Sequence, residues 1–345
     1  MQRLLASCAS CAAAVLWFAL PVAAVSPEVV VIGSENLIHA VADTNKTYAF
    51  YRALGVEIAD RDVLGGVQPK GVVPLPKESS ESLDKLCDTP HTTWRYLALT
   101  VPNAFNMELI EFTGLDRKRV RPGNQDPGAA TLVLRVRDVD AALAAAKKGG
   151  GVVVTAGGAP LGAGPGKSRS VFVRDPDGFF VELVQPDPLP ETTAPANSNV
   201  IGASLKRTIQ DTDKTLHFYR DAFGFDIQPG TSFTGNKITS DLVGVPEKAQ
   251  FRISMANIPG SSVHWEFIEF KDAPRKPFHP KISEPGAPGF QLKVRDVDAA
   301  VKAVKASGGT ILTSGGEPLV IGKNRTVLIH DPDGFLLELM QNVAQ

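Results

Sequence analysis

The chain has 345 residues, 43% of them hydrophobic and 21% charged, so it is too long for one small module and too apolar for wholesale disorder. Its 36 basic and 37 acidic side chains leave a formal charge of -1, a balance that gathers neither phosphate backbones nor anionic lipid, and nucleic acid is not expected as a partner. Thirty-one Gly and 26 Pro promise frequent turns.

Arg3 precedes an uncharged apolar stretch over residues 4–24 that ends in the small residues Val22, Ala23 and Ala24. This pattern predicts a signal peptide over residues 1–24 and export to the periplasm or the medium. An uncleaved membrane anchor is the rival reading, because the stretch has roughly the 20 residues that a spanning helix needs. Cleavage would remove Cys8 and Cys11 and leave Cys87 alone, so no internal disulfide is expected and the fold must stand on packing. Cys87 has no local partner that would prepare a thiolate and reads as a buried small hydrophobe.

Beyond residue 35 the chain repeats itself. Asp43-Thr44-Asn45-Lys46-Thr47 with Phe50-Tyr51-Arg52 returns as Asp211-Thr212-Asp213-Lys214-Thr215 with Phe218-Tyr219-Arg220. Glu108-Leu109-Ile110-Glu111-Phe112 returns as Glu266-Phe267-Ile268-Glu269-Phe270, and Val136-Arg137-Asp138-Val139-Asp140 as Val294-Arg295-Asp296-Val297-Asp298. Asp175-Pro176-Asp177-Gly178-Phe179 returns as Asp331-Pro332-Asp333-Gly334-Phe335. The ordered spacing indicates one domain duplicated, over residues 35–185 and 200–342, with the proline-bearing residues 186–199 as linker.

Each copy divides again. Apolar alternation predicts a strand over residues 132–136, helical spacing a helix over 139–147 closed by Gly149-Gly150-Gly151, and three short strands follow at 152–155, 170–173 and 180–184. A strand at 37–42, a helix at 44–54 and strands at 94–101 and 106–112 give the same order in the preceding half. Four βαβββ units result, an α+β fold. Tyr48, Phe50, Tyr51 and Leu54 read as the core-facing side of the first helix, and His217 as part of an exposed face. Lys167 and Arg169, with Lys323 and Arg325, close two glycine-rich segments that match no phosphate loop and read as hairpin connections. Arg117, Lys118, Arg119 and Arg121 read as a solvated loop.

The ordered set Asp-x-x-Lys-Thr-x-x-Phe-Tyr, Glu-Leu-Ile-Glu-Phe, Val-Arg-Asp-Val-Asp-Ala-Ala and Asp-Pro-Asp-Gly-Phe-x-x-Glu-Leu, present twice, resembles the vicinal oxygen chelate superfamily of glyoxalase I, bleomycin resistance proteins and extradiol dioxygenases. The resemblance implies that paired units curl into two glyoxalase-like cups, each with a cavity inside. In metal-dependent members up to four ligands line a cup, His or Gln on the first strands and Glu on the last. Carried across, the last-strand positions fall on Glu108 and Glu182 in the first copy and on Glu266 and Glu338 in the second. Counting back seven residues from Asp43 and Asp138 gives Asn36 and Thr131 as first-strand positions; the same count from Asp211 and Asp296 gives Ser204 and Gly289. The usual histidines are absent.

Two candidate metal sets follow: Glu108 and Glu182 with Asn36 and Thr131, suited to a hard divalent cation, and His264 with Glu266 and Glu338, since His264 and Glu266 share a strand face. The four glutamates also stand as candidate catalytic bases, because a carboxylate in an apolar strand needs a cation, donors or water. His39 has the opposite strand parity to Asn36 and is expected to face away from the cup; His330 reads as a turn or interface residue. The expected function is the binding of a small organic molecule in a cup. The alternative is a metal-dependent lyase, isomerase or extradiol-type dioxygenase with a glutamate-based site. A divalent metal is the one cofactor the residues suggest, with no nucleotide or flavin, and four units in one chain make a monomer sufficient without excluding a homodimer.

Overall fold

A computed structural model of the protein describes residues 30–60, 78–162 and 166–343. The expected signal peptide, with Cys8 and Cys11, lies outside them. Among the described residues no helix is long and apolar enough to cross a membrane.

The four units follow the expected order. The first contains β1 (Val31–Ala40), α1 (Thr44–Ala53), β2 (Glu57–Ile58), α2 (Glu81–Cys87), β3 (Thr93–Thr100) and β4 (Asn106–Thr113). The second contains β5 (Ala130–Val136), α3 (Val139–Lys148), β6 (Val152–Val153), β7 (Leu161–Gly162), β8 (Arg169–Arg174) and β9 (Phe180–Gln185). In the third, β10 (Val200–Ile209) leads to α4 (Thr212–Leu216), which continues as a π-helical turn over His217–Ala222, then β11 (Asp226–Gln228), α5 (Lys237–Val243), β12 (Gln250–Asn257) and β13 (His264–Lys271). The fourth has β14 (Pro288–Val294), α6 (Val297–Ala306), β15 (Thr310–Ile311), β16 (Leu319–Ile321), β17 (Asn324–His330) and β18 (Leu336–Asn342).

The repeated aspartates have local jobs that explain their positions. Asp43, Asp138, Asp211 and Asp296 each cap the helix that follows, their carboxylates accepting from backbone N–H groups of the first turn. In the repeated Asp-Pro-Asp-Gly turns, Asp175 accepts from the N–H groups of Asp177, Gly178 and Phe179, and Asp331 from those of Asp333 and Phe335. Gly178 (φ +100°) and Gly334 (φ +90°) hold the left-handed conformation that lets each turn close. Tyr48, Phe50 and Tyr51 are buried on one side of α1. A Cβ on Gly149 would stand 2.8 Å from Phe50 Cα, so the glycine stop of α3 also lets α1 approach.

The units do not pair within each repeat. One sheet runs β15-β17-β18-β14-β1-β4-β3-β2, so it joins the first unit to the fourth; the other runs β11-β12-β13-β10-β5-β9-β8-β6 and joins the second to the third. The junctions are antiparallel pairings of first strands, β1 with β14 and β10 with β5. In each case the strands of one repeat's half complete a cup with a half of the other repeat. The first cup therefore holds Glu108 with Glu338, and the second Glu182 with Glu266. The expected groupings of Glu108 with Glu182, and of His264 and Glu266 with Glu338, are corrected by this exchange.

Buried polar ties bind the two sheets. His39 Nε2 lies 2.6 Å from Asp175 Oδ2, and Tyr51 donates to the same oxygen at 3.2 Å. At the equivalent place Arg207 Nη2 donates to Asp331 Oδ2 at 2.5 Å, and Tyr219 donates to it at 2.6 Å. His39 thus faces away from the cup, as strand parity predicts. Burial works against its charge, but the charge and hydrogen bond of Asp175 outweigh this and raise its pKa. Arg207 lies 3.8 Å over the Phe335 ring within an aromatic surround that includes Trp265. The expected solvated run at 117–121 contributes too: Arg119 pairs with Asp177 of the other sheet, while Arg117 donates to the Val41 carbonyl within its own unit. Arg169 and Arg325 instead make exposed ion pairs with Asp140 and Asp298.

Breaking the second tie leaves a buried guanidinium without its carboxylate. Asp331→Asn should cost about 3–5 kcal/mol of unfolding free energy in urea denaturation, while Arg169→Ala at the exposed pair should leave the midpoint unchanged. Equal effects would contradict this account of what joins the sheets.

Candidate functional site

The first cup is a cavity of about 280 Å³. Its walls are apolar, with Ile38, Leu83, Leu86, Trp94, Ile110 and Met340 among the lining residues, and α2 covers one side. Its floor is polar and is built from five strands. Asn36 on β1 donates to Gln291 Oε1 at 2.7 Å and to Glu108 Oε1 at 3.3 Å. Gln291 on β14 donates to Glu338 Oε2 at 2.9 Å and to Glu108 Oε2 at 3.4 Å. Thr326 on β17 donates to the other Glu338 oxygen at 2.7 Å.

The alternation of β4 and β18 puts these carboxylates there. Glu108 lies between buried Met107 and Leu109, and Glu338 between Leu337 and Leu339, each turned to the cup while its apolar neighbours enter the core. Burial raises the Glu108 pKa to about 8, with help from the negative charge of Glu338, while hydrogen bonds from Asn36 and Gln291 oppose the rise. Glu338 is also raised by burial. The pair is short of positive charge.

That shortage bears on metal binding. Among the described residues no group of three or more His, Cys, Asp or Glu is placed to hold a metal ion. The first cup supplies two carboxylates, and the amides of Asn36 and Gln291 complete a set of four once each turns its oxygen inward. An all-oxygen set of this kind fits a hard divalent cation rather than a zinc-type His/Cys site. Trp94 and Cys87 also line the cup. Trp94 Nε1 is buried and no protein group accepts its proton. Cys87 also lines the cavity, with burial and the nearby Glu338 raising its thiol pKa well above the ordinary value, so it stays protonated and is a poor nucleophile.

The second cup is larger, about 600 Å³, with Phe172, Leu242, Phe251 and Phe270 in its walls. Glu182 and Glu266 converge there as in the first cup, and Ser170 donates to Glu182 at 2.6 Å, as Thr326 does to Glu338. Between them stands Lys206, with Nζ 2.6 Å from Glu182 Oε2 and 3.7 Å from Glu266 Oε2. Burial works against the ammonium, but the two carboxylates outweigh it and raise its pKa. His264 lines this cup with Arg135; burial and the Arg135 charge lower its pKa, which favours the neutral ring.

The first-strand positions are mixed. Asn36 reaches the first floor, and Ser204 lines the second cup. Thr131 is buried opposite Lys206 on β10 and lines neither cup. The residues in register with the last-strand glutamates are Ile38, opposite Glu108, Val133, opposite Glu182, Lys206, opposite Glu266, and Gln291, opposite Glu338. Each lies five residues before its helix cap, so the count of seven lands two residues early on all four strands, and of the residues it picks Asn36 still reaches the floor of the first cup. Gln291, Lys206 and Trp94 were not singled out by the sequence. The readable signal was a lone amide in the apolar run Phe290-Gln291-Leu292, and a lysine two residues from Ser204 on the same strand face.

Comparison with known proteins matches residues 36–183 and 203–339 to the Glyoxalase/Bleomycin resistance protein/Dioxygenase superfamily. A probable lactoylglutathione lyase of Vibrio cholerae is 23% identical over 148 residues, 43% of this chain and 93% of the relative. A putative lactoylglutathione lyase of Brassica oleracea is 25% identical over 134 residues, 39% of this chain, and the match spans only 41% of the relative's length. Among solved structures, glyoxalase I from Zea mays aligns with a TM-score of 0.54 at 18% identity, covering 90% of this chain and 92% of that one. A putative dioxygenase from Bacillus subtilis aligns at 0.51 and 10% identity, covering 90% and 86%. These likenesses establish the fold.

A carboxylate whose pKa is raised in the folded state makes the protein less stable as pH climbs, because the native state holds a proton that the unfolded chain releases. For Glu108, between the ordinary 4.5 and about 8, the loss is of the order of 5 kcal/mol. In chelator-treated protein, urea stability should fall over this range, and Glu108→Gln should remove most of the fall. A parallel pH profile in the variant would contradict the assignment.

Proposed function

Because the chain belongs to the Glyoxalase/Bleomycin resistance protein/Dioxygenase superfamily, we propose that its first cup binds a small uncharged organic molecule and transfers a proton on it, as a lyase or isomerase. The observation that carries this reading is the convergence of Glu108 and Glu338, bridged by Gln291, on the floor of one apolar cavity. A pKa near 8 lets Glu108 both accept and return a proton near neutral pH.

The residues divide the work. The apolar walls exclude water and hold the substrate body. Trp94 gives these walls an aromatic face. Glu108, once deprotonated, takes a proton from the carbon beside a substrate carbonyl and returns it, while Gln291 and Thr326 fix Glu338 beside it. A divalent cation held by Glu108, Glu338 and the amide oxygens of Asn36 and Gln291 would polarise the same carbonyl as a Lewis acid.

Lactoylglutathione, the compound in the relatives' names, carries carboxylates on its glutathione portion. Among the described residues lining the first cup there is no Lys or Arg to meet them. This favours an uncharged substrate. Each cup is complete within one chain, so the proposed activity needs no partner subunit.

The test is exchange of the α-proton in heavy water, followed by NMR, on a lactoyl thioester of a small neutral thiol and on lactoylglutathione. The neutral thioester should exchange faster, and Glu108→Gln should slow it by about 10²–10⁴-fold. No exchange of the neutral thioester, or exchange indifferent to Glu108, would overturn the reading.

A further inference from the structure

The two cups can be superposed residue for residue through the repeat. Glu108 and Glu266 are equivalent, as are Glu338 and Glu182, and the hydroxyls of Thr326 and Ser170 serve these latter two in the same way. The remaining floor positions differ. Where the first cup has Asn36 and Gln291, the second has Ser204 and Val133, so both amide oxygens are gone. Ile38, opposite Glu108, is replaced by Lys206, opposite Glu266. The carboxylates are retained and the neutral donors lost, and an ammonium stands within 2.6 Å of one carboxylate and 3.7 Å of the other.

We propose that Lys206 is a covalently tethered replacement for a divalent cation, so that the second cup excludes metal and serves as a metal-independent site beside the metal-competent first. The donor set does not fit an ion: two carboxylates remain, Val133 offers nothing, His264 lines the cup but is not placed with the two carboxylates as a set of three ligands, and a cation between Glu182 and Glu266 would lie against a like charge held there by a covalent stem. The ammonium answers the need that two converging carboxylates create in an apolar hollow. It supplies fixed positive charge that neither chelators nor metal supply can alter. The cup keeps its aromatic walls and its volume, so this substitution preserves a cavity rather than filling it.

The inference concerns the second cup alone, and its test silences the first. The full chain carrying Glu108→Gln and Glu338→Gln is titrated with Mn²⁺ alone, and free ion is counted by electron paramagnetic resonance. With Lys206 in place, no tightly bound Mn²⁺ is expected. Adding Lys206→Ile, Val133→Gln and Ser204→Asn, which copies the first cup's floor, should create one Mn²⁺ site per chain. Binding of Mn²⁺ while Lys206 is intact overturns the proposal, and so does a folded copy of the first floor that binds none. Should that variant fail to fold, Lys206→Ile with Val133→Gln, which returns one amide oxygen to the floor, decides. Its melting temperature should drop and Mn²⁺ should restore it; a drop indifferent to Mn²⁺ contradicts the replacement.

Discussion

The antiparallel pairing of first strands from opposite repeats, β1 with β14 and β10 with β5, is the constraint on which everything else rests. A first strand left unpaired would expose a row of backbone donors and acceptors at a sheet edge. Pairing it with its counterpart closes a continuous sheet and at the same time brings two last-strand carboxylates face to face. The ties between sheets then follow the same exchange. Each Asp-Pro-Asp-Gly turn belongs to one sheet and reaches a His or Arg on the first strand of the other, so neither sheet can shift without breaking buried charge pairs.

Two glutamates converging in an apolar hollow pose an electrostatic problem, and the cups meet it in different ways. In the first, amide donors from Asn36 and Gln291 share the load and Glu108 holds its proton to unusually high pH. In the second, a lysine neutralises the pair directly. One arrangement leaves a group able to exchange a proton or accept a cation; the other locks the charges. From a single duplicated framework come a carboxylate pair held by amides and one neutralised by an ammonium.

Much of this was legible before any coordinates. The duplicated Asp-x-x-Lys-Thr and Asp-Pro-Asp-Gly runs are local signals, because caps and turns are made by neighbours in sequence, and they placed the elements, while the four cup glutamates came from the superfamily resemblance. Strand parity also put His39 on the outer face. Which halves associate is not local: nothing in residues 106–112 records that β4 will share a cup with β18 rather than β9. Gln291 was missed because the count of seven from the helix cap lands two residues early, on Gly289, and Lys206 because an ammonium beside a strand arginine looks like a solvated charge until the opposing carboxylates are in view. Thr131 drew attention through the same miscounted register.

The most direct test of the account is anomalous diffraction from crystals of the full protein equilibrated with Mn²⁺. One peak is expected, enclosed by Asn36, Glu108, Gln291 and Glu338, with none between Glu182 and Glu266. A peak beside Lys206, or the first cup empty while its four side chains keep their places, would contradict it.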